Sequence, residues 1–240
     1  MLAELVGTFL LVLLGDAVVA NVVLAQTKGN SSGWIVITLG WAMAIFVGAT
    51  LSGGHLNPAV TLGLATAGLI DWSTVTSHIV GQFIGAFLGA IVMWAVFMPH
   101  FTATTDKNAI LGAFSNSPAI RNPVANVIAE AVGTFVLVFG ILILQKALFP
   151  AGSPAAAPIN VGTLGALPVA LLFLVIALGL GGTTGFALNP ARDLAPRFVH
   201  AILPIWHKGS SDWAYGWIPV VGPIIGGLAA GLIYIGLSKF

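Results

Sequence analysis

The tripeptide Asn-Pro-Ala, whose Asn side chain can both accept and donate hydrogen bonds, occurs twice in this chain, at Asn57, Pro58, Ala59 and at Asn189, Pro190, Ala191. An Asn before a Pro indicates a helix start, because Asn caps helices and Pro fits the first helical position. Each Asn oxygen can accept from its own helix, which leaves amide N–H groups to donate to a water or hydroxyl oxygen. We call these tripeptides the first and second Asn-Pro-Ala boxes.

The boxes belong to a longer shared pattern, Ser/Thr-Gly-x-x-Leu-Asn-Pro-Ala, and each interrupts apolar sequence. A third Asn-Pro dipeptide, Asn122-Pro123, lacks that pattern and simply opens a long apolar run. Asn-Pro is also a common turn dipeptide, so the extended pattern is what indicates a functional pair. Arg192 directly follows the second box, and a guanidinium at membrane depth should face a polar lumen rather than lipid.

Two glutamates occupy a second repeated pattern, Glu-x-Val-Gly-Thr-Phe, which begins at Glu4 and again at Glu130. Carboxylates in apolar runs can form a proton relay or a structural support. We expect support, with each carboxylate accepting hydrogen bonds from backbone N–H groups near a box. His55 precedes the first box, where it either lines a lumen or packs in a loop, and Asp16 has no assigned role.

The composition is that of an integral membrane protein, with 58% hydrophobic and 6% charged residues in 240. The net charge of +1 argues against nucleic-acid binding, which requires a basic face. There is no Cys, and His78, His100, His200 and His207 lack metal-ligand spacing. We therefore expect no metal, no cofactor and no enzymatic activity, since no catalytic motif is present.

Six apolar runs have the length of a membrane span. They are Leu2 to Ala25, Gly33 to Leu51, Thr76 to Met98, Pro123 to Leu148, Gly165 to Gly182 and Tyr215 to Leu237. The first run lacks a basic region and a cleavage site, so we interpret it as a retained span. The sequence predicts loops at 99–122 and 149–162, where charged or turn-forming residues accumulate.

The boxes open two shorter helices, from Pro58 to about Gly68 and from Pro190 to about His200. Each is roughly 16 Å long, half of a ~30 Å hydrocarbon core. The irregular backbone before each box is tolerated at that depth only where it lines a cavity. Its carbonyls are expected to accept hydrogen bonds from solutes, at Gly53, Gly54, His55, Leu56, Thr183, Thr184 and Gly185.

The repeated glutamates and boxes divide one channel domain, 1–240, into repeats at about 1–98 and 123–240, linked by loop 99–122. Three spans is an odd number, so the second repeat enters the membrane upside down. The predicted fold is an all-α membrane protein with six transmembrane helices, two re-entrant half-helices and an inverted 3+3 repeat. Its broken helices meet near the midplane.

The double box, Arg192 and the paired glutamates on an inverted repeat closely resemble the major intrinsic protein family, the aquaporins and glycerol facilitators, over essentially the whole chain. The resemblance implies an aquaporin-like right-handed bundle, one pore per subunit, a homotetramer, and a multi-pass protein of the cell membrane with cytoplasmic termini. The charge distribution opposes this orientation, because with the N-terminus inside the outer loops would hold Lys28, Lys107, Arg121 and Lys208.

Within the family, Asp193, Arg197 and Pro219 with Val220 resemble the bacterial glycerol-facilitator branch. The residues that match the family's selectivity filter are Ile37, Ala177, Phe186 and Arg192. Glycerol facilitators usually carry an aromatic at the first of these positions. Trp41 lies one turn along the same helix, where it either compensates for Ile37 or packs against helices or lipid.

The resemblance implies a passive channel for glycerol, water and other small uncharged solutes that excludes ions and protons. A small Ala177 and an aliphatic Ile37 predict a wide filter that also admits dihydroxyacetone or protonated small acids. A water-selective channel, an ion-coupled transporter and a structural junction protein are the alternatives. An ion-coupled transporter should show further ionisable residues at the midplane, and the sequence has none in evidence.

Overall fold

The computed structural model describes residues 1–147 and 162–237, and the regular structure within those ranges is helical. The helices are α1 (Leu2–Val23), α2 (Trp34–Ser52), α3 (Pro58–Thr66), α4 (Trp72–Ala103), α5 (Lys107–Gly112), α6 (Pro123–Ala147), α7 (Leu167–Gly179), α8 (Pro190–Ile202), α9 (Trp213–Gly216) and α10 (Ile218–Leu237). A 3₁₀ helix, Gly162–Ala166, leads into α7.

Within the described ranges, five helices are long and apolar enough to cross a membrane: α1, α2, α4, α6 and the continuous run Trp213–Leu237. The remaining predicted span, Gly165 to Gly182, is occupied by a shorter apolar helix, Leu164–Gly179. The predicted loop at 149–162 lies outside the described residues except for Gly162. The fold is an all-α membrane protein, as predicted.

The prediction of a loop over 99–122 is wrong in two places. α4 continues through Pro99 to Ala103, because a Pro near the end of a helix removes only one backbone donor from a long ladder. Residues 107–112 form α5, whose N-cap Asp106 accepts hydrogen bonds from the backbone N–H groups of Asn108 and Ala109. A six-residue helix has too little periodicity to be seen in the sequence.

Helix packing follows the same scheme in both halves of the chain. α1 packs against α4 in the first half, and α6 packs against α10 in the second. The half-helices cross between halves, since α3 packs against α10 and α8 packs against α4, while α2 meets α7. This pairing is what an inverted repeat produces, and it brings the starts of α3 and α8 together.

Glycines permit a close helix crossing in each half of the chain. A Cβ atom at Gly85 of α4 would collide with the carbonyl oxygen of Leu5 in α1. A Cβ atom at Gly226 of α10 would collide in the same way with the carbonyl oxygen of Ala131 in α6. Small residues allow helix backbones to approach closely inside a membrane, so both crossings depend on the missing side chain.

Candidate pore between the two boxes

Each box caps its own helix. The Asn57 side-chain oxygen accepts from the backbone N–H of Ala59 at 2.8 Å, and Pro58 is the first residue of α3. The Asn189 side-chain oxygen accepts from the N–H groups of Ala191 and Arg192 at 3.0 and 3.2 Å. Both asparagines are buried, so these caps replace hydrogen bonds that water supplies at an exposed helix start.

The boxes are also joined to each other. The Asn57 amide nitrogen donates to the carbonyl oxygen of Leu188 at 2.7 Å, and the Asn189 amide nitrogen donates to that of Leu56 at 2.8 Å. We call these two contacts the cross-box hydrogen bonds. They occupy one of the two N–H groups of each amide, so one N–H per asparagine is left for a solute.

The residue before each asparagine has a left-handed backbone, with φ of 52° at Leu56 and 51° at Leu188. Such a conformation costs on the order of 1–3 kcal/mol for a residue other than Gly and persists only where the surroundings enforce it. The cross-box hydrogen bonds hold both carbonyls of these leucines. The matching strain in the two halves identifies the boxes as structurally equivalent.

Glu4 and Glu130 accept hydrogen bonds from the backbone N–H groups of the same leucines. A Glu4 oxygen accepts from the N–H of Leu56 at 2.8 Å. Glu130 accepts from the N–H groups of Ala187 and Leu188 at 3.1 and 2.7 Å. Both carboxylates are therefore placed against the irregular segments, where they orient the boxes.

Gln82 is a part of this support that sequence reasoning missed. Its amide nitrogen donates to Glu4 at 2.9 Å and to the hydroxyl of Thr61 at 3.0 Å, and the side chain is fully buried. A Gln on the buried face of α4 is the only signal in the sequence. Nothing in its spacing links it to Glu4, which lies on another helix.

A cavity of about 40 Å³ lies where the two half-helices begin. Its polar side chains are those of His55, both box asparagines and Arg192, and much of the remaining lining is apolar. The residues that matter below are Trp41, Ile45, His55, Asn57, Phe173, Asn189 and Arg192. A narrow, mostly apolar space with a few converging donors suits a small polar molecule.

The predicted backbone acceptors divide into two groups. Gly54, His55 and Leu56 line the cavity, whereas Gly53 does not. In the second segment, the carbonyl oxygen of Thr183 accepts from the N–H of Ala119 at 3.0 Å. Those of Thr184 and Gly185 accept from the side chain of Asn116. Those three carbonyls already accept hydrogen bonds from the stretch before α6 and do not line the cavity, so the expectation that they serve solutes stays a prediction.

Among the four predicted filter residues, only Arg192 lines the cavity. Ala177 is fully buried and Ile37 packs, half-buried, against the hydrophobic core. Phe186 is buried with its ring edge-on to Phe173 and to Trp34, at centroid distances of 5.7 and 5.3 Å.

The structure excludes a lipid-facing position for Trp41, one of the alternatives that the sequence left open. It is 1% exposed and lines the cavity, so it does not face lipid. The guanidinium carbon of Arg192 lies 4.1 Å from the centroid of its ring, a close cation–π contact. One guanidinium nitrogen of Arg192 is buried with no hydrogen-bond partner among the described residues, and so is one oxygen of Asp16.

Asp193 and Arg197, noted above only as branch markers, form a fully buried ion pair at 2.9 Å. Arg197 also donates to the carbonyl oxygens of Asn116 and Ser211, at 2.7 and 2.8 Å. Asp193 accepts from the backbone N–H of Asn116 at 2.7 Å. The pair therefore ties α8 to the segments before α6 and α9, around the second box.

Lys208 stabilises the far end of α8. Its ammonium donates to the carbonyl oxygens of His200 and Ala201, at 2.9 and 2.8 Å. A cation at a helix C-terminus interacts favourably with the helix dipole. Partial burial lowers the pKa of Lys208 from its ordinary value.

The expectation of no metal site stays a prediction, although the described residues contain one cluster of possible metal ligands. The structure brings Glu4, His55 and His78 together, with one possible ligand atom from each, all within 4.8 Å of one another. They come from α1, the first irregular segment and α4, so no local spacing could reveal them.

The fold and this site define a class: a multi-pass helical membrane protein whose two half-helices meet, capped by Asn, at a narrow central cavity. The family model for the major intrinsic proteins matches residues 1–234. The chain belongs to the major intrinsic protein family.

Similar proteins are found over nearly the full length. The chain is 52% identical over 235 residues to a glycerol uptake facilitator protein of Streptococcus pneumoniae, with 96% of each chain covered. It is 47% identical over 237 residues to a probable glycerol uptake facilitator protein of Thermotoga maritima, with 97% of each covered. The solved aquaglyceroporin of Plasmodium falciparum matches with a TM-score of 0.81 at 29% identity, covering 98% of this chain and 94% of that one.

Proposed function

We propose that this protein is a passive channel that lets glycerol and other small uncharged solutes, including water, cross the membrane. The observation that carries the proposal is the cavity between the two boxes, where free N–H groups of Asn57 and Asn189 and the guanidinium of Arg192 converge on an apolar wall. The family and the relatives named as glycerol uptake facilitators support the same conclusion. The protein is a channel rather than an enzyme.

The arrangement suits a polyol better than an ion. Hydroxyl oxygens can accept from the box amides and from Arg192, while a carbon backbone lies against Trp41 and Phe173. The starts of α3 and α8 each carry about half a positive elementary charge, so cations and excess protons are repelled. Anions lose their hydration in this narrow apolar space without a second cation to replace it.

The constriction is proposed to include Trp41 together with Arg192 and Phe186. Trp41 supplies an aromatic surface from one turn beyond Ile37, and its ring contacts the Arg192 guanidinium. Ile37 and Ala177 pack in the same hydrophobic cluster as Trp41 and Phe186 and do not set the narrowest width. Dihydroxyacetone and protonated small acids are further candidate solutes, since they are small and uncharged.

We also propose that the protein works as a homotetramer in the cell membrane with both termini in the cytoplasm. Large apolar side chains remain exposed on the outer faces of the helices, among them Leu2, Val124 and Leu232. Such surfaces require lipid or neighbouring subunits. A tetramer would cover part of this surface and leave one pore in each subunit.

The experiment is glycerol uptake by liposomes that contain the purified protein, followed by stopped-flow light scattering. Two variants of α2 form a matched pair: Ile45→Trp, which adds volume to the cavity wall, and Val47→Trp, which adds the same side chain on the exposed side. We expect glycerol uptake by the parent and by Val47→Trp, and little by Ile45→Trp. Uptake unaffected by Ile45→Trp would show that solutes do not pass through this cavity.

A further inference from the structure

Glu4, His55 and His78 form a compact cluster beside the cavity. One possible ligand atom from each lies within 4.8 Å of the others. The two imidazole rings are stacked, with centroids 4.7 Å apart. His55 and Asn57 line the cavity, whereas His78 is not among the residues that line it. We call these three residues the histidine–glutamate cluster.

Hydrogen bonds determine which nitrogen of His78 is free. Its Nδ1 lies 2.8 Å from the carbonyl oxygen of Thr74. A carbonyl oxygen only accepts, so Nδ1 carries the hydrogen in the neutral ring. The Nε2 atom of His78 therefore keeps its lone pair.

The same reasoning applies to His55. Its Nδ1 lies 3.3 Å from the hydroxyl oxygen of Thr61. The Thr61 hydroxyl already donates to the carbonyl oxygen of Asn57 at 3.1 Å and accepts from Gln82 at 3.0 Å. His55 must then be the donor in its contact with Thr61, which leaves its Nε2 with a lone pair.

One carboxylate oxygen of Glu4 is likewise available as a ligand. Both hydrogen bonds that the structure gives to its carboxylate, from Leu56 and from Gln82, end on the same atom, Oε2. The other oxygen, Oε1, is left for another partner. The three side chains thus combine two imidazole lone pairs with one carboxylate oxygen.

This combination is a ligand set for a transition-metal ion. Zinc binds His nitrogen at about 2.0–2.1 Å and carboxylate oxygen at about 2.0–2.2 Å, so ligands around one ion stand roughly 3.3–3.5 Å apart. A cluster within 4.8 Å reaches that spacing through small side-chain movements, on the order of 1 Å. Two His and one Glu leave a fourth position open for water.

The surrounding contacts resemble those that orient metal ligands. The Thr74 carbonyl oxygen contacts Nδ1 of His78, and the Thr61 hydroxyl contacts Nδ1 of His55. The Leu56 N–H and the Gln82 amide donate to the Glu4 carboxylate. Such outer hydrogen bonds set the tautomer and direction of a ligand before the metal arrives. Here they exist already in the protein.

We propose that Glu4, His55 and His78 bind a divalent transition-metal ion of the zinc type, and that the bound ion obstructs the pore. Obstruction follows from the position of His55 on the cavity wall and rests on the proposed function. Metal binding itself does not depend on transport. An ion there would also displace His55, which precedes Leu56, and Glu4, which accepts from the N–H of Leu56. The carbonyl oxygen of Leu56 receives a cross-box hydrogen bond.

The binding test uses isothermal titration calorimetry with Zn²⁺ on the full chain in detergent micelles, after chelator treatment. His78→Phe keeps a ring of similar size but removes the ligand, and His207→Phe is the control at an exposed position outside the cluster. We expect one Zn²⁺ per chain for the parent and for His207→Phe, and at least tenfold weaker binding for His78→Phe. His55→Gln should weaken binding as well.

The absorption of Co²⁺ provides a second readout, because a tetrahedral site with nitrogen and oxygen ligands gives visible bands that Co²⁺ in water lacks. We expect the bands in the parent and their loss in His78→Phe. Absence of Zn²⁺ binding by the parent, or equal binding by His78→Phe, would overturn the site and leave the rings as a stacked pair alone.

Glycerol uptake by liposomes then tests obstruction. Zn²⁺ should slow uptake at least tenfold in the parent and in His207→Phe, and should leave His78→Phe unaffected. Zn²⁺ bound at the site with uptake unchanged would overturn the obstruction. Absence of uptake in metal-free liposomes is a failure of the proposed function, and it is distinguished because binding is measured in micelles.

Discussion

Arg192 is held by the face of an aromatic ring, and that contact decides what it offers to a solute. The guanidinium carbon lies over the Trp41 ring, 4.1 Å from its centroid, and one guanidinium nitrogen has no hydrogen-bond partner among the residues described. A carboxylate partner would have occupied the donors that a polyol needs. The ring holds the guanidinium by its face and leaves those donors available.

Replacing Trp41 tests whether this residue, rather than Ile37, sets the width of the constriction. Trp41→Val should admit larger polyols such as xylitol about tenfold faster, since a size misfit costs about 1–3 kcal/mol. Ile37→Val, on the same helix, should change uptake little. Stopped-flow uptake across polyols of increasing size is the measurement. Equal responses to both substitutions, or no response to Trp41→Val, would place the constriction elsewhere.

Glu130 is expected to act through folding rather than through proton transfer. Glu130→Gln replaces an acceptor of two backbone N–H groups and should lower the free energy of unfolding by about 1–3 kcal/mol. Denaturant unfolding in micelles, followed by tryptophan fluorescence, gives this value. Glycerol uptake per folded protein should fall much less. A pH dependence of uptake that disappears in Glu130→Gln would instead give the carboxylate a role in transport.

At the scale of elements, the sequence predicted most of the features that the two halves of the chain share. The boxes and the paired glutamates carry recognisable residue types in matching positions, so both half-helices and the inverted repeat could be anticipated. The contacts of Gln82 and His78 could not be anticipated, and the sequence left the role of Trp41 open, because these roles arise from contacts between helices. α5 and the extension of α4 were missed because a short helix and a tolerated Pro leave no periodic signal.

The crossing of α6 and α10 depends on Gly226. Gly226→Leu would force the side chain against the carbonyl of Ala131, and overpacking costs typically about 1–3 kcal/mol even where neighbours can move. We expect little monodisperse protein on size-exclusion chromatography. Gly236→Leu, on the exposed face of the same helix, should purify like the parent. Normal recovery of Gly226→Leu would show that the crossing tolerates a side chain.

At the scale of the whole molecule, the two halves depend on each other at their centre. The cross-box hydrogen bonds join Asn57 to Leu188 and Asn189 to Leu56, so neither half completes its own pore segment. The half-helices pack on long helices of the opposite repeat. This interlocking supports a pore of fixed shape, in contrast to a transporter whose halves rock against each other.

The central claim is that solutes pass passively through this pore. The most direct measurement is the concentration of radiolabelled glycerol inside proteoliposomes at equilibrium, with and without an imposed proton or sodium gradient. A passive channel predicts equal glycerol concentrations on both sides in every condition, reached faster than in protein-free liposomes. Accumulation above the external concentration that collapses when the gradient is dissipated would contradict the account and identify an ion-coupled transporter.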